Sequence, residues 1–264
     1  MQKPMRIAVV GATGRVGHHV ADVLTERGHD VVPIARSLGV DVITREGLAE
    51  ALAGADAIVD TATWPTPDEA EATRFFTTAA RNLHDAGQAA GAGRLVVISI
   101  IGTDKFGGGY GKAKVAHEEA TLAGPIPSRV LRAAQFHEFV EELVGWSTQD
   151  GVARLPDMRT QLVAARTAGE ALADLVTAAD SEFTPEAAAT LLEVAGPQEE
   201  RLPEAARLLV ARRGDDLRIE VGSDPADPYS TVYESGALLP GPDAIIGGPT
   251  YADWLEANVA VGSR

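Results

Sequence analysis

Tyr110 and Lys114 stand four residues apart in Gly109-Tyr-Gly-Lys-Ala-Lys114, and Ser99 lies eleven residues before the tyrosine. If Tyr110 opens a helix, a spacing of four brings phenol and ammonium to one face. A free phenol titrates near ~10 and is a poor base at neutral pH, but a neighbouring ammonium favours phenolate and lowers that value. Such a couple can give or take a proton at a carbonyl or alcohol oxygen. A hydroxyl such as that of Ser99 can hydrogen-bond the same oxygen and stabilise charge developing there. Lys112 competes for the lysine role, but two residues from Tyr110 it points elsewhere on the helix. Tyr-x-x-x-Lys alone is common, and Tyr110 follows three glycines that could leave it on a loop. Its weight as a catalytic motif comes from what precedes it in the chain.

The N-terminal segment supplies that context. A short apolar run ends in Gly11-Ala-Thr-Gly-Arg-Val-Gly17, and an amphipathic segment follows at once. Glycine is needed where backbone turns sharply or approaches a ligand closely. Between a buried strand and a helix, such glycines let the free N–H groups and positive dipole end of the helix face a pyrophosphate. Gly11, Thr13, Gly14, Arg15, Val16 and Gly17 are therefore the expected dinucleotide-binding residues. A hydride donor bound there would complement the proton chemistry of Ser99, Tyr110 and Lys114, with Lys114 also holding the nicotinamide ribose. The second strand ends Ile34-Ala35-Arg36-Ser37, with no Asp or Glu to take a ribose diol. Arg36 offers a charged planar fork to a 2′-phosphate, Ser37 adds a hydroxyl, and Arg15 is a second candidate for the same group. The expected cofactor is NADP(H), with NAD(H) as the alternative. The plainer reading of Arg36 is a solvent-facing loop arginine.

Stepping outward, strands are expected at Met5–Val10, Asp30–Ala35, Val40–Ile43, Ala57–Asp60, Arg94–Ser99 and Ser128–Arg132. Helices are expected at Val16–Arg27 (with Gly28 as its cap), Glu46–Leu52, Pro67–Ala90 and Lys112–Ala123. This alternation predicts an α/β fold, a Rossmann-type doubly wound parallel sheet covered on both faces. Beyond Ala133 the rhythm weakens. Helices are expected at Phe139–Thr148, Thr167–Ala178, Pro203–Arg212 and Tyr251–Asn258, strands at Val152–Leu155 and Leu191–Val194, and loop from Gly222 to Pro249. The chain reads as one NAD(P)-binding domain over residues 1–264, with a core over about 1–135 and a small C-terminal substrate-binding lid over about 136–264.

The 264 residues are 45% hydrophobic and 23% charged, ample for a buried core. A net charge of −15 without a basic stripe argues against nucleic acid and anionic membranes as partners. Cysteine is absent, which removes disulfides, a thiolate nucleophile and cysteine metal sites. The six histidines show no paired ligand spacing, so no metal is expected. Glu118-Glu119 reads as a solvated helix face, and Gly-x-Ser-x-Gly is missing. With no apolar run of spanning length and a strand within a few residues of Met1, a cytoplasmic protein is the default expectation. A homodimer is compatible with the sequence.

Together Gly11–Gly17, Ser99, Tyr110-Gly-Lys-Ala-Lys114, Arg132-Ala-Ala-Gln-Phe136 and the later Glu193-Val-Ala-Gly-Pro197 resemble the short-chain dehydrogenase/reductase superfamily, closest to its atypical, NmrA-like NAD(P)-binding branch. The resemblance implies a Rossmann fold, a nicotinamide cofactor and, with the triad intact, reduction of a carbonyl compound or quinone, or oxidation of an alcohol. It also implies that Thr61, Ala62 and Thr63 lie along the cofactor and that Ala133, Ala134 and Gln135 flank its nicotinamide end. The chain departs from the classical branch: Asn82 does not clearly match the helix asparagine that relays protons, and the Ser99–Tyr110 gap is slightly short. Trp64, Phe106, Phe136 and His137 are the candidate substrate contacts, and Phe76 and Phe139 read as core. For His137 a partly exposed loop position competes with a proton-relay role. Two rival functions are a non-catalytic redox-sensing regulator that binds NAD(P), and a nucleotide-sugar epimerase or dehydratase. Only 132 residues follow the sixth strand, little for gripping a second nucleotide.

Overall fold

A computed structural model describes residues 3–222 and 228–262. It divides into two compact units, one of residues 1–132 with 168–192, the other of residues 133–167 with 193–264.

The first unit is built on buried strands. β1 (Arg6–Val10) pairs in parallel with β2 (Asp30–Ile34) on one side and β3 (Ala57–Asp60) on the other. β3 pairs in parallel with β4 (Arg94–Ile100), and β5 (Ser128–Ala133) lies beyond β4. The order β2-β1-β3-β4-β5 reverses direction at β1, the switch point at whose strand ends open α/β sheets bind ligands. All four residues of β3 and six of β5 are buried, as expected for strands covered on both faces. This is the Rossmann-type sheet expected from the sequence.

Four helices join these strands: α1 (Gly17–Glu26), α2 (Leu48–Leu52), α3 (Glu69–Ala90) and α4 (Gly109–Leu122). α3 starts at an Asp68 side chain that accepts from the Glu71 N–H, and it buries Phe76, Ala79, Ala80 and Leu83 along one stripe. The α2–β1–α3 layer closes around Ile34, Leu48, Leu52, Ile58 and Leu83. Two expectations fail here. Val40–Ile43 is not a strand: the Asp41 carboxylate accepts from the N–H groups of Ile43 and Thr44, and this local bonding bends the chain into a turn. Asn82 steadies that turn by donating to the carbonyls of Val42 and Ile43, a structural task. And α4 begins at Gly109, three residues before the expected start, so Tyr110 sits in its first turn. This unit also holds the helix Ala165–Val176 from Ala168 onward, and the helix Pro185–Ala188.

The second unit contains the helix Phe139–Trp146, the strands Val152–Leu155 and Arg218–Val221 paired in parallel, the helix Leu202–Arg213 and the helix Tyr251–Asn258. The expected loop from Gly222 to Pro249 is not wholly loop. It carries a helix at Ser230–Glu234 and a two-residue strand, Ile245–Ile246, that pairs with Val194 and Ala195, while residues 223–227 lie outside the described part. A strand that short leaves no alternation to read in the sequence.

Two buried histidines tie stability to pH. His84 donates from Nε2 to the Thr121 carbonyl and accepts the Ile126 N–H at Nδ1, so only the neutral ring fits. His137 bonds the Leu162 carbonyl through Nε2, and burial pushes it down to about 4. Its folded value lies below the ordinary one near 6.5, so the stability it contributes is present above that pH and fades as pH falls toward 4. Acidification from pH 7 to 4 is expected to cost roughly 3 kcal/mol through His137 alone. Urea denaturation at both pH values measures it. A His137→Gln variant should show a shallower pH dependence, and an unchanged one would contradict this assignment.

Candidate active site

The glycine turn is the first part of the site. Gly11 has φ +76°, and its N–H and that of Ala12 donate to the Ile34 carbonyl (2.9 and 3.2 Å). Gly14 N–H returns to the Gly11 carbonyl at 2.8 Å, closing the turn. A Cβ on Gly17 would stand 2.1 Å from the Gly11 oxygen and 2.7 Å from Thr61 Oγ1; one on Gly11 would meet Thr61 Oγ1 at 2.8 Å. These glycines are thus required by contact between the turn and the end of β3. Thr61 seals the contact, donating from both N–H and Oγ1 to the Val10 carbonyl (3.0 and 2.6 Å). The backbone of 11–17 is left coiled at the start of α1, with Thr13 and Gly14 exposed and His18 hydrogen-bonded to the Gly14 carbonyl at 2.8 Å. This is the cradle a diphosphate needs, and it fits the group.

Arg36 and Ser37 leave β2 in a single 3-10 turn, both exposed. Ser37 Oγ lies 3.5 Å from Thr13 Oγ1, so the loop after β2 reaches the glycine turn. The Arg36 guanidinium sits over the Trp64 ring at 5.0 Å. Trp64, the expected substrate contact, is half-buried: its indole N–H donates to Glu71 (2.8 Å) and its ring stacks on Phe75 at 5.6 Å. The loop Thr61–Trp64 therefore joins the glycine turn, Arg36 and α3.

Tyr110 and Thr63 share a hydrogen bond of 2.7 Å. The phenol edge contacts the Phe76 ring, 5.7 Å between centroids. Burial raises the Tyr110 phenol above its usual range, and the Thr63 hydrogen bond only partly opposes that. This corrects the expectation that Lys114 lowers it. Lys114 does share the buried side of α4, but its Nζ donates to the Ile98 carbonyl (2.9 Å), lies 3.1 Å from His117 Nδ1 and sits 4.6 Å over Phe76. Desolvation brings the amine down to about 8 against the opposing charges of Asp60 and Glu118. Ser99 is buried on β4, and its Oγ has no hydrogen-bond partner among the described residues. A buried hydroxyl left without a hydrogen bond is costly. Phe106 packs on the start of α4, its Cβ 2.6 Å from where a Gly111 Cβ would stand.

The sequence reading missed two buried ionic groups on α4. His117 Nε2 faces Asp60 Oδ2 at 3.3 Å, making a chain Asp60–His117–Lys114. Glu118, expected in solvent, is buried and takes a bidentate pair from Arg132 (2.9 and 2.7 Å), while Arg132 also donates to Asp104 (2.6 Å). The signal was present: Lys114, His117 and Glu118 recur at i, i+3 and i+4, the spacing of one helix face. Charged types at those positions argue for solvent unless partners are known, and the partners come from β3 and β5.

Ala133, Ala134, Gln135, Phe136 and His137 belong to the second unit. Ala133 and Ala134 are buried, and Gln135 Oε1 accepts from Thr160 Oγ1 at 2.6 Å. Phe136 bridges in parallel to Val163. His137 is not partly exposed: it sits in a turn, buried against Tyr251 and Trp254, an environment made by a helix more than 110 residues later in the chain. Phe76 is core, as expected; Phe139 packs on Trp146. Among the described residues no group of His, Asp and Glu is placed to hold a metal ion, and no helix is long and apolar enough to cross a membrane.

Several known proteins are similar to this chain. Residues 5–101 match the family described as RmlD substrate binding domain. The chain is 34% identical to a 4-hydroxy-tetrahydrodipicolinate reductase of Natronomonas pharaonis over 60% of its own length and 55% of that protein's. It is 28% identical to a dTDP-4-dehydrorhamnose reductase of Mycolicibacterium smegmatis over 84% of its length and 70% of that protein's. A dTDP-4-dehydrorhamnose reductase from Bacillus anthracis, solved in complex with NADP, superposes with a TM-score of 0.65 at 17% identity, covering 98% of this chain and 94% of that one. The match with the Natronomonas pharaonis reductase spans little more than half of that protein. The solved-structure likeness establishes the Rossmann-type fold.

Proposed function

We propose that this protein is an NADPH-dependent reductase of a small carbonyl compound, with Tyr110 as proton donor. One observation carries the reading: the strip Thr61–Thr63 runs from the glycine turn, where Thr61 abuts Gly11 and Gly17, to the phenol, which Thr63 holds at 2.7 Å. The dinucleotide cradle and the proton donor are thus set by three consecutive residues at the end of β3. Gly11, Thr13, Gly14, Arg15, Val16 and Gly17 would hold the diphosphate, Arg36 and Ser37 the 2′-phosphate, and Ala62 would lie along the bound group. When bound, the nicotinamide supplies the hydride that reduction adds to the carbonyl carbon. Tyr110 supplies the proton to the carbonyl oxygen. Its raised pKa keeps it protonated at neutral pH, which suits reduction better than alcohol oxidation. Ser99 is the group available to hydrogen-bond that oxygen. The likeness to reductases favours an enzyme over the redox-sensing regulator expected of some NmrA-like proteins.

A second reading has a specific observation behind it. Two of the similar proteins are dTDP-4-dehydrorhamnose reductases, so a nucleotide-linked keto-sugar joins simple ketones, aldehydes and quinones as a candidate substrate class. NADPH oxidation followed against that panel decides among them. Cofactor choice has its own test: Arg36→Ala should weaken NADPH binding by about tenfold or more, roughly 1.4 kcal/mol, and leave NADH binding nearly unchanged. Equal losses for the two would remove Arg36 from 2′-phosphate recognition.

A further inference from the structure

A charged lysine carries only donors, so its contact with His117 Nδ1 makes that nitrogen an acceptor. The proton of the neutral ring then sits on Nε2, which faces Asp60 Oδ2. Donors therefore run one way, from Lys114 through His117 to Asp60. The other Asp60 oxygen accepts the Ala62 N–H at 2.9 Å, which fixes the carboxylate to the same strip that ends at Thr63. Asp60, His117 and Lys114 are 2%, 1% and 4% exposed. Apolar residues of similar volume would serve a purely structural role at least as well, because burying paired charges gains little over good packing. Lys114 is faced by the Ile98 carbonyl from β4, the Phe76 ring from α3, His117 and Glu118 from α4, and Asp60 of β3 beyond His117. Glu118 is engaged by Arg132, whereas Asp60 is bonded by the Ala62 N–H and by His117.

Resting on the reductase reading, we propose that Asp60, acting through His117, is the positioning counter-charge of Lys114, keeping its amine protonated and fixed against the Phe76 ring that also contacts Tyr110. Desolvation works against the ammonium and Asp60 is the leading group that opposes it, so removing the carboxylate lowers the amine further below about 8. His117 stays neutral, because burial and the adjacent ammonium both disfavour a second positive charge.

The chain has four lysines, Lys3, Lys105, Lys112 and Lys114, so carbon-13 labelling of lysine Cε gives a readable NMR titration of the whole protein. Lys114 should titrate apart from the other three. Asp60→Asn should move its midpoint down by about one pH unit. His117→Phe keeps a ring on Phe76 but removes both hydrogen bonds, and should also move it down. His117→Gln, which can accept from the amine and donate to the carboxylate, should restore it. An unmoved midpoint in Asp60→Asn, or equal shifts in the two His117 variants, overturns the proposal. If Asp60→Asn fails to fold by circular dichroism, the His117 pair decides. These midpoints are read without turnover, so they stand or fall apart from the reductase assignment.

Discussion

Replacing Tyr110 with phenylalanine is expected to cut kcat for NADPH-dependent carbonyl reduction by about 100- to 10,000-fold. The substitution removes one oxygen. It leaves the ring against Phe76, so α4 and its packing should hold. Thr63 loses its partner, but Thr63 is exposed and water can replace the phenol. NADPH affinity should therefore stay near the wild-type value, because the glycine turn and Arg36 are untouched. The pattern to look for is a fall in kcat with an unchanged Kd for NADPH. A variant that turns over at the wild-type rate would remove Tyr110 from the chemistry and leave Ser99 or a bound water as the proton source. A variant that loses cofactor binding instead would mean the phenol shapes the dinucleotide site.

The second large effect is expected at Gly17. A methyl group there would lie 2.1 Å from the Gly11 carbonyl oxygen, which is backbone and cannot swing away. Gly17→Ala must therefore open the turn at Gly11 or push β3 back at Thr61, and either change disperses the N–H groups that face a diphosphate. NADPH binding should weaken by at least about tenfold, about 1.4 kcal/mol, and the melting temperature should fall. Gly145→Ala is the control: a Cβ there meets nothing within 4 Å, in a helix where alanine is favoured. If Gly17→Ala bound NADPH as wild type does, the cradle would have to lie elsewhere. Equal losses in the two variants would point to a general effect of substitution.

What was legible in the sequence follows from how local the cause is. β1, β3 and the long helix α3 were readable because a buried parallel strand is a continuous apolar run and a long helix repeats its stripe many times. The glycine turn was readable because its residue types and spacing have few other uses. Val40–Ile43 misled because its apolar residues look like a strand, whereas one carboxylate, Asp41, decides the conformation by bonding its own backbone. The start of α4 was placed late because three consecutive glycines mask a helix terminus, and the Glu69 carboxylate that accepts the Gly109 N–H comes from forty residues earlier.

The site was legible in its members and not in their pairing. Tyr110, Lys114 and Ser99 could be picked out by type and order. That Tyr110 answers to Thr63 and Lys114 to His117 depends on where the end of β3 falls against α4, which no local pattern encodes. Glu118 and His137 were misread for the same reason. Each is a polar residue made tolerable inside by a partner distant in sequence, Arg132 for the first and the Leu162 carbonyl for the second.

The measurement closest to the heart of this account is calorimetric titration of the wild-type protein with NADPH and, separately, with NADH. Saturable binding at one site per chain, tighter for the phosphorylated dinucleotide, is the predicted result. Absence of heat and of competition by either coenzyme, in reduced or oxidised form, would contradict it and leave the Rossmann sheet without the ligand its opening turn is shaped to hold.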